Sequence, residues 1–250
     1  MASLPPNDEA VTVAYVHSEN VSHSWHLAMR EMLAHDISHN RRVIAGGWIA
    51  TRYGTGGIAK ARNETVEAFL AQPFGWLMWV DTDMGFPGDG VDRLCQFADP
   101  VFRPIVGGLC FGMDVASDFD HTMTTRATIY DWAGDNHDSG LVVRNDYLPN
   151  ELTRCTATGS AFVLVCRNVF VEVAKKFGPE WYSPMRYKSN RMVMGEDLSF
   201  CLRCGALNIP VHVHTGIKTT HHKAAWLSES LHQRLRAHHD PAGSGQREVG

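Results

Sequence analysis

Asp81 and Asp83 stand one residue apart at the end of an apolar run, in the stretch WLMWVDTDMGF over residues 76–86. Like charges this close repel, and their pKa values split unless a positive charge sits between them. Water screens the pair if this is a surface turn, where Asp is common; otherwise a cation does. Two carboxylates on one tight turn suit a hard divalent ion such as Mg2+ or Mn2+. Such an ion takes one or two carboxylates and leaves its other positions to water and phosphate. A second acidic pair, Glu196 and Asp197 in MGEDLSFCLRC, stands where a helix should begin. The helix dipole favours negative charge there whether or not the pair does chemistry. His221 and His222 close the segment HTGIKTTHHK. A neutral imidazole ligates transition metals and is acceptable to Mn2+, although a lone histidine pair in a polar loop is more often only surface. D-x-D by itself is weak: Asp118 and Asp120 form another, in ASDFDH, with no strand before it and no role assigned.

The elements that must position these residues follow from periodicity. VTVAYV (11–16) is a β-branched run and reads as the opening strand. Trp25, Met29, Met32 and Leu33 recur at helical spacing over 21–35. RVIAGG (42–47) reads as a second strand ending in glycines, and Ala61, Val66, Phe69 and Leu70 mark an amphipathic helix over 58–70. The strand into the two aspartates follows, then a helix at 89–97 and a short strand, RPIVGG. Alternating strands and helices argue for a mostly parallel sheet covered on both faces. Residues 113–150 are polar and show little periodicity, as functional or mobile segments do. The pattern resumes with AFVLVC (161–166), a helix at 168–177, a helix from Glu196 and a last strand, IPVHVH. The expected organisation is a tail over 1–10, one domain over 11–225, and a C-terminal helix or tail over 226–250 that is partly disordered.

Composition narrows the class. A chain of 250 residues suffices for one sizeable domain, and 44% apolar with 20% charged residues is ordinary for a soluble globular protein. No apolar run approaches the roughly 20 residues of a membrane helix. MASLPPNDEA lacks the basic and apolar regions of a secretory signal, so a cytoplasmic protein with no membrane partner is the expectation. Six cysteines are scattered in apolar context rather than set in a disulfide framework. Cys201 and Cys204 form one C-x-x-C without a second pair to complete a zinc site, and read as helix residues. A net charge of −4 gives no general attraction to nucleic acid.

Taken together, the parts resemble the nucleotide-sugar-dependent glycosyltransferases of the GT-A fold, family-2-like members in particular. The likeness rests on five motifs in order: the strand-borne D-x-D, the helix start AKARNETVEAF (59–69), TATGSAFVLVCRNVFVEV (156–173), the G-E-D at 195–197, and a histidine after the last strand. It spans residues 11–223, and the set also resembles compact glycosyltransferases encoded by bacteriophages. The resemblance implies a Rossmann-like α/β fold and a hexosyl- or pentosyltransferase, working in the host cytoplasm if phage-encoded. It implies Mn2+ or Mg2+ held by Asp81, Asp83 and His221, with His222 a rival one residue away, and a nucleotide-sugar donor, a UDP-sugar foremost. Val16, His17 and Ser18 would lie by the nucleotide, and Arg62 would face nucleotide or diphosphate. Asp81 would contact the ribose or the metal's water, and Gly159 and Ser160 would flank the sugar. Asp197 would be the general base if the reaction inverts, with Glu196 beside it holding donor sugar or acceptor.

Three other readings share some of these features. A phosphatase of the haloacid dehalogenase type wants Thr or Val two residues after the second Asp, near the start of the chain; here Gly85 stands there, followed by Phe86. A sugar nucleotidyltransferase wants a Gly-rich signature with Lys or Arg after its first strand, and VAYVHSENVSHSW has none. A non-catalytic nucleotide- or carbohydrate-binding module would be marked by a broken D-x-D or a missing carboxylate at 197, and both are intact. The acceptor is open: a virion protein, a modified DNA base or a glycan. Seven tryptophans and PEWYSPMRY offer stacking surfaces for sugars or unpaired bases, or simply fill a core.

Overall fold

The computed structural model describes residues 4–115, 123–134, 140–187 and 192–224, together with Glu229 and Gln233. The chain opens with β1 (Val11–His17), then α1 (His23–Ser38), whose N-cap Ser22 accepts the Trp25 N–H, and α2 (Arg42–Gly46). Next come β2 (Trp48–Arg52), α3 (Gly57–Leu70), β3 (Trp76–Val80), the two-residue β4 (Met84–Gly85) and α4 (Gly90–Phe97). The middle of the chain is strand-rich, with β5 (Ile105–Leu109), β6 (Phe111–Val115), β7 (Met123–Ala127), β8 (Ile129–Trp132) and β9 (Leu141–Val143). There follow β10 (Leu152–Cys155), β11 (Ala157–Thr158), β12 (Phe162–Cys166), α5 (Arg167–Phe177), β13 (Met185–Tyr187) and β14 (Met192–Met194). The described chain closes with α6 (Glu196–Ala206), β15 (Val211–Lys218) and β16 (Thr220–His221).

Seven strands form one central sheet in the order β10-β15-β5-β12-β3-β1-β2. β1, β2, β3, β5 and β15 run in one direction; β12 lies antiparallel between β3 and β5, and β10 is antiparallel at the edge. The expected α/β fold with a mostly parallel, helix-flanked sheet is what forms. Every residue of β3, β5 and β12 is buried, so their near-continuous apolar runs reflect cover on both faces. On one side α1 meets α2 and α4, where the His35 ring bonds Asp92 at 2.8 Å. Elsewhere α3, α5 and α6 pack through Phe69, Phe170 and Phe200. The Arg167 guanidinium donates to the Leu70 and Gln72 carbonyls and so ties the start of α5 to the end of α3.

RVIAGG is not a strand. Residues 42–46 form α2, and the strand begins only at Trp48. The cause lies outside the segment: the buried Asp36 carboxylate on α1 accepts the Val43 and Ile44 N–H groups at 3.0 and 2.9 Å. A charged cap on two orphan donors outweighs the β-preference of Val and Ile. Gly46 then passes so near β1 that a Cβ there would lie 2.3 Å from the Val11 carbonyl carbon.

In the polar stretch 113–150 the described residues form short antiparallel ribbons. β6 pairs with β7, and β8 pairs with both β9 and β11. Trp181 and Tyr182 of PEWYSPMRY are buried, as are Trp76 and Trp79, so these rings fill the core rather than offer stacking surfaces. Cys201 and Cys204 are free, buried thiols on α6. Asp118, Asp120 and, apart from Glu229 and Gln233, the C-terminal helix or tail expected over 226–250 lie outside the described residues.

Candidate functional site

The D-x-D turn is built at the carboxyl end of β3, between three neighbours. The Asp81 N–H donates to the Ala161 carbonyl beside β12, and the Met84 N–H closes the turn on the Asp81 carbonyl. Ser22 N–H, at the start of α1, donates to the Thr82 carbonyl. The chain after β15 returns as β16 and pairs antiparallel with β4, His221 opposite Met84, while the His222 N–H donates to the Asp83 carbonyl. This short pairing brings together residues separated by 138 positions.

It also separates the two histidines. The His221 ring faces Asp83, Nε2 lying 3.1 Å from Oδ2, and its Nδ1 lies 2.8 Å from the Phe111 carbonyl. His222 instead lines the neighbouring cleft. Lys223 donates from Nζ to the same Asp83 oxygen at 2.6 Å. Partial burial pushes the Asp83 carboxyl up, but the His221 and Lys223 hydrogen bonds outweigh it and bring it down to about 2. Burial works to lower His221, and its bonds to Asp83 and to the Phe111 carbonyl win and raise it.

Asp81 turns the other way. Its Oδ1 accepts from Arg62 Nη2 at 2.8 Å, and the Arg62 Nε lies 3.7 Å from Glu196 Oε1. Arg62 is only 2% exposed; its guanidinium lies over the Trp79 ring at 4.9 Å and the Tyr182 ring at 5.6 Å. The Arg62 guanidinium is thus closed off from open solvent. It joins the D-x-D turn to the start of α6. Nε and Nη1 find no hydrogen-bond partner among the described residues.

Asp197 stands in the first turn of α6 with Oδ1 accepting the Leu198 N–H. A Cβ at Gly159 would meet its Oδ2 at 3.5 Å and Thr128 Cβ at 3.7 Å, so Gly159 leaves room beside this carboxylate. Burial and then the neighbouring Glu196 push the Asp197 carboxyl up, against the pull of Arg62. A carboxylate held above its ordinary range beside a space is suited to taking a proton. Ser160 is buried and does not line the cleft.

The cleft beside the turn measures about 500 Å³ and is lined by Val16, Ser18, Asn20, Tyr53, Asp81, Asp83 and the 222–224 segment, among others. That volume is in the range of small-ligand sites. Of the three residues expected at the end of β1, Val16 and Ser18 line it, while the His17 ring bonds the Ser18 carbonyl and lies 6.0 Å from Tyr15. A second cavity, about 350 Å³, lies where β15 begins rather than ends, far along the strand from the D-x-D turn.

No family model matches the chain, and no curated protein matches it by sequence. Among solved structures, A197 from STIV is similar at a TM-score of 0.47 and 13% identity, with 86% of each chain covered. GalNAc-T7, solved with UDP, GalNAc and Mn2+, is similar at a TM-score of 0.51 and 10% identity. That match covers 85% of this chain but 43% of the other, so the chain spans less than half of that structure's length. The fold is GT-A-like.

Whether the site suits a divalent ion can be asked of its donors. Among the described residues no group of three or more His, Cys, Asp and Glu side chains is assembled to hold a metal. Asp81 is drawn to Arg62 and Asp83 to His221 and Lys223. The Asp83–His221 pair nevertheless fits as a two-ligand site. The Phe111 carbonyl anchors Nδ1 and leaves Nε2 facing the carboxylate, the support that metal-bound histidines ordinarily have. Two protein ligands leave positions for water and phosphate. Of the residues singled out through local motifs, the fold brings Asp83 and His221 together, while Asp197 stands apart from the cleft lining; Tyr53, Asn20 and Lys223 line the cleft and carry no motif. Lys223 had one usable signal, its place two residues after His221.

Proposed function

We propose that this chain is a metal-dependent glycosyltransferase that moves a sugar from a nucleotide-sugar donor to an acceptor hydroxyl. The observation that carries the reading is the direct Asp83–His221 pairing at the end of β3, beside a cleft of about 500 Å³. In this reading Val16, Ser18 and Tyr53 border the nucleoside, and Asp83 and His221 hold Mn2+ or Mg2+ with Asp81 beside them. A bound divalent cation supplies positive charge to the departing diphosphate. Arg62 sets the direction of Asp81 and Glu196 from behind rather than touching the donor. Glu196, with its side chain 20% exposed, would contact donor sugar or acceptor in this reading. Gly159 keeps the sugar's space open next to Asp197. Asp197 accepts the acceptor hydroxyl's proton as that oxygen bonds to the anomeric carbon. The anomeric carbon's bond to the donor phosphate breaks, and the nucleoside diphosphate leaves with the electron pair. Such base catalysis is worth about 10²- to 10⁴-fold.

A UDP-sugar is the leading donor, and a protein, a modified DNA base or a glycan the acceptor. A thermal-shift panel of UDP-, GDP-, ADP- and dTDP-sugars with Mn2+, Mg2+ or EDTA tests the reading. A ligand at 100 times its Kd adds about 2.7 kcal/mol. One nucleotide class stabilising only with metal supports the proposal; no nucleotide stabilising under any condition rejects it.

A further inference from the structure

Asp83 Oδ2 accepts from Lys223 Nζ at 2.6 Å and lies 3.1 Å from His221 Nε2. Lys223 stands two residues after β16, next to His222, so the backbone bond that fixes His222 to Asp83 also delivers the ammonium. Both Lys223 and Asp83 line the large cleft, and their side chains are 40% and 33% exposed. The lysine is thus neither buried structure nor a solvated bystander. It places a unit positive charge on the carboxylate oxygen that a cation bridging Asp83 and His221 would need.

We propose that Lys223 is a built-in counter-ion for Asp83, displaced when a divalent cation binds, and that its freed ammonium then grips the diphosphate of the donor. The inference rests on the function proposed above. An ammonium and a divalent cation drawn to the same carboxylate oxygen repel each other strongly, so occupancy by Lys223 and by metal oppose each other. The lysine stem is flexible and its ammonium is a compact point charge, able to leave one anion for another in the same cleft. An arriving diphosphate supplies that second anion. Metal and donor then favour each other's binding, because the donor gives the displaced ammonium a partner. Empty, the site keeps Asp83 neutralised; loaded, it gains one more positive group on the leaving phosphate.

The two roles have opposite signs, which makes the test sharp. Mn2+ binding to the full chain is titrated calorimetrically without nucleotide for wild type, Lys223→Met, Lys223→Arg and Asp83→Asn. Binding of UDP and GDP is then titrated at saturating Mn2+. Lys223→Met is expected to bind Mn2+ about two- to fivefold more tightly than wild type, the size of a half-exposed ion pair. It is expected to bind UDP or GDP at least several-fold more weakly, whereas Lys223→Arg follows wild type in both titrations. Asp83→Asn is expected to lose Mn2+ binding. Unchanged thermal midpoints confirm folded proteins. Mn2+ binding by wild type that Lys223→Met leaves equal or weaker overturns the inference alone. No Mn2+ binding by either protein overturns the function reading and this inference with it.

Discussion

Replacing Asp197 by Asn is expected to make the protein more stable and far less active. The amide retains an oxygen to accept the Leu198 N–H, so the first turn of α6 keeps that bond. It removes a negative charge that burial and Glu196 both disfavour. Asp197's carboxyl is raised in the folded state. A raised folded pKa means that the stability contribution is complete below the unfolded carboxyl value, about 3.9, and is lost as pH rises through the folded value. The advantage of Asn should therefore be absent below the unfolded value, grow as pH rises from there to the folded pKa, and level off above it. Against it stand the lost attraction to Arg62 and to the helix dipole, worth about 0.3–1 kcal/mol. The raised pKa says that these are outweighed, and a net gain on the order of 1 kcal/mol at neutral pH is expected. For a chain of this length that is a midpoint rise of about 2–4 °C. Urea unfolding at several pH values measures it. Nucleoside diphosphate release from a UDP-sugar with Mn2+ and acceptor measures the other half, with a loss of about 10²- to 10⁴-fold. The wild-type rate should also decline on the acid side at a higher pH than an ordinary carboxylate would set. An Asn variant less stable than wild type at neutral pH, or one keeping more than a tenth of the activity, would refute the reasoning.

Three further perturbations probe the other supports. Asp83→Ala should abolish metal-dependent donor binding while the unfolding midpoint stays within a few degrees; full metal-dependent affinity in the folded variant would remove the D-x-D assignment. Arg62→Lys keeps the charge but not the planar fork that meets Asp81 while lying over Trp79 and Tyr182. It should cost about 2 kcal/mol and slow turnover more than it weakens nucleotide binding, as steady-state kinetics and urea titration would show. Asp36→Ala strips the Val43 and Ile44 N–H groups of their buried acceptor. A loss of about 3 kcal/mol is expected, measured by urea unfolding, with nucleotide affinity in the surviving folded protein unchanged.

The sequence by itself determined what is local. WLMWV is apolar at every position because β3 is covered on both faces, and the two aspartates had to follow where the strand reaches open space. Glu196 and Asp197 open α6 as charge at a helix start predicts. The strand AFVLVC was equally plain, but its antiparallel direction was not, because direction depends on how the intervening chain returns to the sheet. Asp36 is why RVIAGG is a helix, and nothing inside those six residues announces a cap from α1. Arg62 reads in sequence as a residue available to phosphate; burial under Trp79 and Tyr182 makes it a strut between two acidic pairs. Which of His221 and His222 faces Asp83 needed the pairing of β16 with β4. Side chains alternate along a strand, so a register shift of one residue would exchange their faces. Lys223 reached Asp83 by the same pairing. Composition and periodicity set which segments become strands and helices, whereas the chemistry at Asp83 depends on contacts across 138 and 140 residues. Only the closing of those loops brings the groups together.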